Sequence, residues 1–498
     1  MAARTTALLL ATLLMTISAN AQTPAPIRHT LRFPSPQSHI VDVSTVVPGE
    51  GRTDIELMMA VWTPGSYLIR EYERNVEGVS AVDPGGRTLQ VTKSAKNRWR
   101  IATGGASAVT LSYRVYGREM TPRNNWIDAS FAIINGAPTY MTLVGDTARP
   151  HEVIVEPPPS WKTVVTPLAE AGPSRTFRAA SFDELVDSPM LLGNPDVRTF
   201  QVAGKTISLV TEGGAGQFDT ARATQELAKV VETHRAMWGS LPFDRYVFFN
   251  LLMLPPGQGG GALEHASSVV MLAERGVTKA RQSYVTWLEL ASHEFFHAWN
   301  IKRLRPVELG PFDYERENHT RSLWLAEGVT DYYGDLAVHR AGLSTADEYL
   351  QGLSSKIDEI QSTPGRLVQS VAQASFDAWI RFYRPDENSV NVSICSRRAT
   401  SNVTLSPALY CARRASIRSA RTRTSSMARI SSSTLRPAAA PGVSRRTCET
   451  SSRPASLRRP TPNHARRPPL PSGDRKRRPN VWRDRKSTRL NSSHTDIS

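Results

Sequence analysis

Cysteine is nearly missing from this 498-residue chain, and its three copies, Cys395, Cys411 and Cys448, all lie in the last fifth. The first 394 residues therefore carry no disulfide framework and no thiolate metal site. Runs long enough to span a bilayer are missing as well. The N-terminal apolar stretch Ala7–Ile17 (ALLLATLLMTI) is too short for a mature membrane helix. Arg4 precedes it and the small-x-small triplet Ala19-Asn20-Ala21 follows, so residues 1–21 read as a secretory signal peptide with a mature start near Gln22. There is no internal repeat. Acidic residues are scarce at the C-terminus: residues 395–498 hold 24 Lys or Arg against four Asp or Glu, a net of +20. The formal net charge of the whole chain is +16, so residues 1–394 are slightly acidic, at −4. All the excess basicity therefore lies in the last fifth of the chain, and the question of a polyanionic partner falls on that tail.

What is present falls into three kinds of text. From residue 22 to 196, short alternating or β-branched runs such as HIVDVSTVV, DIELMMAVW and VTLSYRVYG recur between turn signals, among them Pro64-Gly65 and Pro84-Gly85-Gly86. This predicts an antiparallel β-sandwich-like domain. From residue 197 to 394, buried-strand runs (YVFFNLLML, ASSVVML) give way to helical periodicity. One helix is expected after Asp219, a candidate N-cap, ending near Gly239. Three more are expected over about Ser283–Arg303, Arg321–Ala341 and Thr345–Ser362. The whole is an α+β multidomain protein. After Ile394 no period of 2 or 3.6 is sustained, and Ser, Arg, Thr, Pro and Ala dominate. Such text buries too little apolar area to offset its ordering entropy, which predicts a disordered basic tail.

The chemistry is written in ASHEFFHAWN. His293 and His297 are four residues apart, hence on one helical face, where both imidazoles can reach one metal ion. Glu294 lies between them, placed to take a proton from a metal-bound water. A catalytic zinc takes three protein ligands and keeps one position open. With no cysteine nearby, the third donor is expected on the next helix. RSLWLAEGVTDYYGDL offers Glu327 as ligand and, one turn on, Asp331 as acceptor for the second N–H of a ligating imidazole. Upstream, GQGGGALEH (Gly257–His265) joins two strand-like runs. There Glu264 is expected to project from an edge strand and pair with a cationic α-amine, while Gly261 and Ala262 lend backbone to an added substrate strand.

Five motifs, in this order, resemble the bacterial glycyl aminopeptidase family of zinc metallopeptidases: WTPGSYLIREYERNV (Trp62–Val76), GGGALEH, HEFFHAWNIKRLRP, LWLAEGVTDYYGD and FYRPDENS. The resemblance spans about residues 27–394. It implies an N-terminal β-domain, a thermolysin-like (gluzincin) catalytic domain and a C-terminal PDZ domain. It also implies zinc ligation by His293, His297 and Glu327, with Glu294 as general base, and supports Glu264 as amine anchor. The substrates implied are short peptides beginning with Gly or Ala. The resemblance stops near Ile394. A Tyr-x-Lys-Gly segment, whose tyrosine serves the oxyanion, is expected there, but Cys395-Ser396-Arg397-Arg398 stands in its place and no PDZ-like text follows. Tyr383 is the nearest remaining hydroxyl donor, in a loop-like context.

The loss of acids and gain of Arg, Ser, Pro and Cys after Ile394 are what an out-of-frame translation of residues 395 to about 483 would give. Asp484–His494 (DRKSTRLNSSH) matches the translation of a sequencing-library adapter. Without the helical lobe that closes such a cleft, apolar surface on the 321–362 helices is expected to stay exposed. Three functions are consistent with the sequence. The first is a secreted, periplasmic zinc aminopeptidase for peptides. The second is a zinc- and peptide-binding protein of weak turnover. The third is a binder of anionic polymers through the tail. Base stacking is not expected, because Tyr410 and Trp482 are the tail's only aromatics.

Overall fold

The computed structural model describes residues 24–173, 175–256, 258 and 260–384. The tail after residue 384 and the segment 1–23 lie outside the described residues, and with them the expectations placed there. Among the described residues, no helix is long and apolar enough to cross a membrane.

Residues 27–193 form β-structure. Alternation dictates it: in Ile27–Arg32 and Ala108–Tyr116 every second side chain is buried. These strands and Ile40–Pro48 form the centre of an eight-stranded sheet, and two four-stranded sheets share its core through Leu57, Met59, Trp99, Ile134 and Leu192. One pairing departs from the antiparallel pattern. Ile27–Arg32 runs parallel to His151–Glu156, two strands more than a hundred residues apart that periodicity alone cannot align. Helix α1 (Phe182–Val186), whose N-cap Ser181 accepts from the Glu184 N–H, precedes the domain's last strand, Met190–Gly193.

A five-stranded mixed sheet follows, in the order Asp196–Val202, Lys205–Glu212, Arg245–Leu254, Ser268–Glu274, Gly261–Glu264. Its middle strands do not alternate because both faces are covered. One face carries Val210, Val247, Phe249, Leu251 and Val270 against Phe131, Ile133 and Leu191 of the β-domain. The other packs Leu209, Phe248 and Met271 on two helices, α2 (Thr220–Trp238) and α3 (Arg281–Phe296). Asp219 caps α2 through the Arg222 N–H, and Gly239 ends it with a left-handed φ of 83°. Helices α4 (Leu323–Arg340), α5 (Ala346–Ser362) and α6 (Val371–Asp377) complete the lobe. Capping boxes at Thr345/Glu348 and Ser370/Gln373 start the last two. Leu350, Leu367, Val368 and Ile380 are exposed on this lobe.

Helix α3 is shorter than its periodicity predicts, stopping at Phe296 rather than near Arg303. Ile301 adopts φ 93°, a conformation no helix tolerates and a β-branched residue avoids. The turn is held from outside. Lys302 reaches Asp187 of the β-domain, and Arg303 donates to the carbonyls of Pro242 and Ala266.

Candidate active site

The two ligand-bearing helices cross in backbone contact. A Cβ at Gly334 would lie 2.9 Å from the Cα of His293, and the Ser292 hydroxyl donates to the Gly334 carbonyl at 2.7 Å. Glu327, Asp331 and Gly334 recur at helical spacing on α4, so this crossing turns both carboxylates toward α3.

The structure brings together all three residues expected as metal ligands. His293 Nε2 and His297 Nε2 are 3.1 Å apart, and Glu327 Oε2 lies 3.5 and 3.6 Å from them. An ion with bonds of about 2.0–2.1 Å in a tetrahedron needs donors about 3.3 Å apart, so the triangle fits a small metal ion. Tautomers add a second argument. The Asn300 carbonyl, 3.0 Å from His297 Nδ1, makes that nitrogen the N–H donor and leaves Nε2 as a lone pair aimed into the triangle. Asn300 is itself anchored, donating to the carbonyls of Leu325 and Ala326 and to Thr330 Oγ1. Two imidazole nitrogens and a carboxylate converging at these distances suit a cation.

Asp331 comes to 3.8 Å from His293 Nδ1, longer than the hydrogen bond expected of it. Its other oxygen receives Lys356 at 2.7 Å, which also binds Asp335. Two further acids stand beside the imidazoles. Glu264 and Glu294 each place an oxygen within 4.8 Å of one another and of a His297 ring nitrogen. Burial, reinforced by Glu264 and Glu327 and opposed by both histidines, pushes the Glu294 carboxyl up to about 7. One of its oxygens has no hydrogen-bond partner. A buried acid with that affinity is poised to exchange a proton near neutrality. Burial opposes the His297 cation, yet Glu327, Glu264 and Glu294 raise its pKa to about 10. Against burial, His297 and His293 hold the Glu327 carboxyl well below the usual range.

Gly261, Ala262 and Glu264 lie on the edge strand Gly261–Glu264, antiparallel to Ser268–Glu274. Glu264 is only 5 % exposed, and the Ala262 carbonyl accepts a long bond, 3.4 Å, from Arg123 of the β-domain. Tyr383 is not on an open loop. It closes a helical turn, Ala378–Phe382, and packs on the cluster of Trp62, Tyr67 and Ala326. Burial first, then the Glu327 charge, keeps its hydroxyl protonated well above the usual range. Tyr67 is buried beside Glu264 in the same way, and the sequence carried no signal for it beyond its motif. Asp187 was also not anticipated. It accepts from Lys302 at 2.7 Å, from the Ala266 N–H at 2.8 Å and from His265 Nδ1 at 3.0 Å. This buried knot ties the end of α1 to the strand of Glu264 and the turn after α3.

A mixed sheet with an antiparallel edge strand, laid over a His-Glu-x-x-His helix with a glutamate from the next helix, is the architecture of a gluzincin-type, aminopeptidase-like catalytic domain. The comparisons give the family. The Peptidase M61 N-terminal domain matches residues 28–194, and the M61 glycyl aminopeptidase domain matches residues 286–396, together more than half of the chain. The chain belongs to the M61 glycyl aminopeptidase family. An aminopeptidase N family protein from Idiomarina loihiensis shares 31% identity at a TM-score of 0.69. The match covers 76% of this chain and 64% of that one, so this chain spans less than two thirds of that structure's length. Native yeast LTA4 hydrolase overlaps at 13% identity and a TM-score of 0.41, over 71% of this chain and 58% of its own, too weakly to support an argument. Comparison with curated proteins found no match.

Proposed function

We propose that this chain is a zinc-dependent aminopeptidase that removes small N-terminal residues, Gly or Ala, from peptides after export through residues 1–21 to the periplasm. The observation that carries the reading is the triangle of His293, His297 and Glu327, set within reach of a second carboxylate, Glu264, on an edge strand. An ion there supplies Lewis-acid polarisation of a water and of the scissile carbonyl. His293, His297 and Glu327 hold it. Glu294 accepts the proton of the attacking water and passes it to the leaving amine. Glu264 holds the substrate's α-ammonium by charge and hydrogen bond, which fixes the first peptide bond over the triangle. The Gly261–Glu264 edge takes the substrate backbone in extended form.

The test is hydrolysis of glycine and alanine p-nitroanilides. Turnover should stop on chelation, return with zinc, and vanish in Glu294→Gln and with N-acetylated substrate. Turnover indifferent to chelation or to acetylation would refute the reading. The absent Tyr-x-Lys-Gly segment favours a second reading, a chain that holds zinc and captures peptide amines yet turns over slowly. Stoichiometric zinc and amine-dependent ligand binding without hydrolysis would select it.

A further inference from the structure

The amine pocket is not made by the catalytic domain alone. Thr63-Pro64-Gly65-Ser66 of the β-domain forms a tight turn, with the Ser66 N–H donating to the Thr63 carbonyl at 3.0 Å and Gly65 at φ 89°. Pro at the second position and a positive φ at the third define a type II turn. The turn is fixed at both ends. Trp62 is fully buried, and its indole N–H donates to the Asp313 carbonyl at 2.8 Å. Tyr67 packs edge-on to Trp379 with ring centroids 4.9 Å apart. The Ser66 hydroxyl accepts from Arg70 at 2.8 Å. This rigid turn is pressed on Glu264. A Cβ built at Gly65 would lie 2.6 Å from both carboxylate oxygens.

We infer that Gly65 is a specificity-determining residue: its missing side chain is what lets the β-domain turn back the Glu264 carboxylate and hold it toward the metal triangle at the distance an α-ammonium needs. This rests on the reading of Glu264 as amine anchor and adds a second domain to that pocket. The carboxylate is confined on one side by the turn, and its oxygens approach Glu294 and His297 on the other. Any side chain at 65 drives it off that position, because the turn backbone is anchored and cannot retreat. The effect falls on recognition of the free amine and leaves metal binding alone, since Glu264 is not one of the three ligands of the triangle.

The probes are glycine hydroxamate, which offers both a zinc-binding group and a free amine, and N-acetylglycine hydroxamate, which lacks the amine. Calorimetry on the zinc-loaded full chain should show a free-amine preference of roughly ten- to hundredfold, the range a hydrogen bond to a charged group supplies. Gly65→Ala should lower that preference to within about threefold, with acetylated-probe affinity unchanged. Gly86→Ala is the control for backbone strain: Gly86 has φ 82° with nothing within 4 Å of its added Cβ, so the preference should persist. Should Gly65→Ala lose its cooperative melt, Gly65→Ala/Glu264→Ala should restore it, because the colliding carboxylate is gone. A folded Gly65→Ala chain that keeps the wild-type preference, or an unfolded one not restored by the second change, overturns the inference. A wild-type chain that binds both probes equally overturns the amine-anchor reading itself, and this inference with it.

Discussion

Replacing Gly334 by alanine sets two effects against each other at the crossing of α3 and α4. Within an ordinary helix alanine is favoured over glycine by about 1 kcal/mol. Here the new Cβ would lie 2.9 Å from the Cα of His293 and 3.0 Å from its backbone nitrogen, neither of which can rotate away. Carbon contacts settle at about 3.5–4.0 Å, so the helices must part by roughly 0.5–1 Å. Overpacking of that kind costs about 1–3 kcal/mol, which outweighs the propensity gain and leaves a net loss of up to about 2 kcal/mol. The motion is aimed at the ligand triangle, because Glu327 rides on α4 while His293 rides on α3 and His297 caps its end. Its edges of 3.5 and 3.6 Å would widen toward about 4–4.5 Å, beyond what a four-coordinate ion spans. Zinc affinity should fall by roughly ten- to a hundredfold, the scale seen when ligand support is removed. Competition against a chromogenic zinc chelator reads the affinity, and urea unfolding reads the stability. A Gly334→Ala chain that binds zinc as tightly as wild type and unfolds at higher urea would refute the reasoning, since propensity would then have won.

Two further predictions concern the supporting structure. Removing the buried anion in Asp187→Ala strands Lys302, whose side chain is 8% exposed. It should cost about 3–5 kcal/mol in urea unfolding, and Lys302→Met in the same chain should recover most of it. Additive losses from the two changes would contradict the buried pair. In the β-domain core His29 and His151 bond ring to ring at 3.0 Å, and burial holds His29 well below its usual pKa and brings His151 down to about 3. Both states are neutral above pH ~6.5; below it the unfolded chain takes up protons that the folded one refuses. Stability should therefore fall with acidification, by about 1.6 kcal/mol between pH 6.5 and 5 for His151 alone, with His29 adding in the same direction. A urea midpoint that stays flat over that window would sink the assignment.

Local periodicity made much of this fold legible. Alternation marked the β-domain strands, Asp219 and Gly239 bounded α2, and helical spacing placed His293 with His297, and Glu327 with Asp331. What stayed hidden depends on contacts distant in sequence. The parallel pairing of Ile27–Arg32 with His151–Glu156 is one case. The meeting of Gly65 with Glu264, and of Asp187 with His265 and Lys302, are others: no spacing rule connects residues in different domains. The early end of α3 comes from tertiary anchoring of Lys302 and Arg303, which overrides a helical pattern that continues through the turn. Tyr383 looked like a loop residue because the packing of Phe382 and Tyr383 on the Trp62 cluster cannot be read from FYRPDENS.

One metal ion is expected to be held by His293 of α3, His297 at its C-cap and Glu327 of α4. Metal analysis after chelation and zinc reconstitution tests it most directly. One zinc per chain is expected, with affinity weakened roughly a hundredfold or more in both His293→Ala and Glu327→Ala while the chain stays folded. Full zinc occupancy at unchanged affinity in either variant would contradict it.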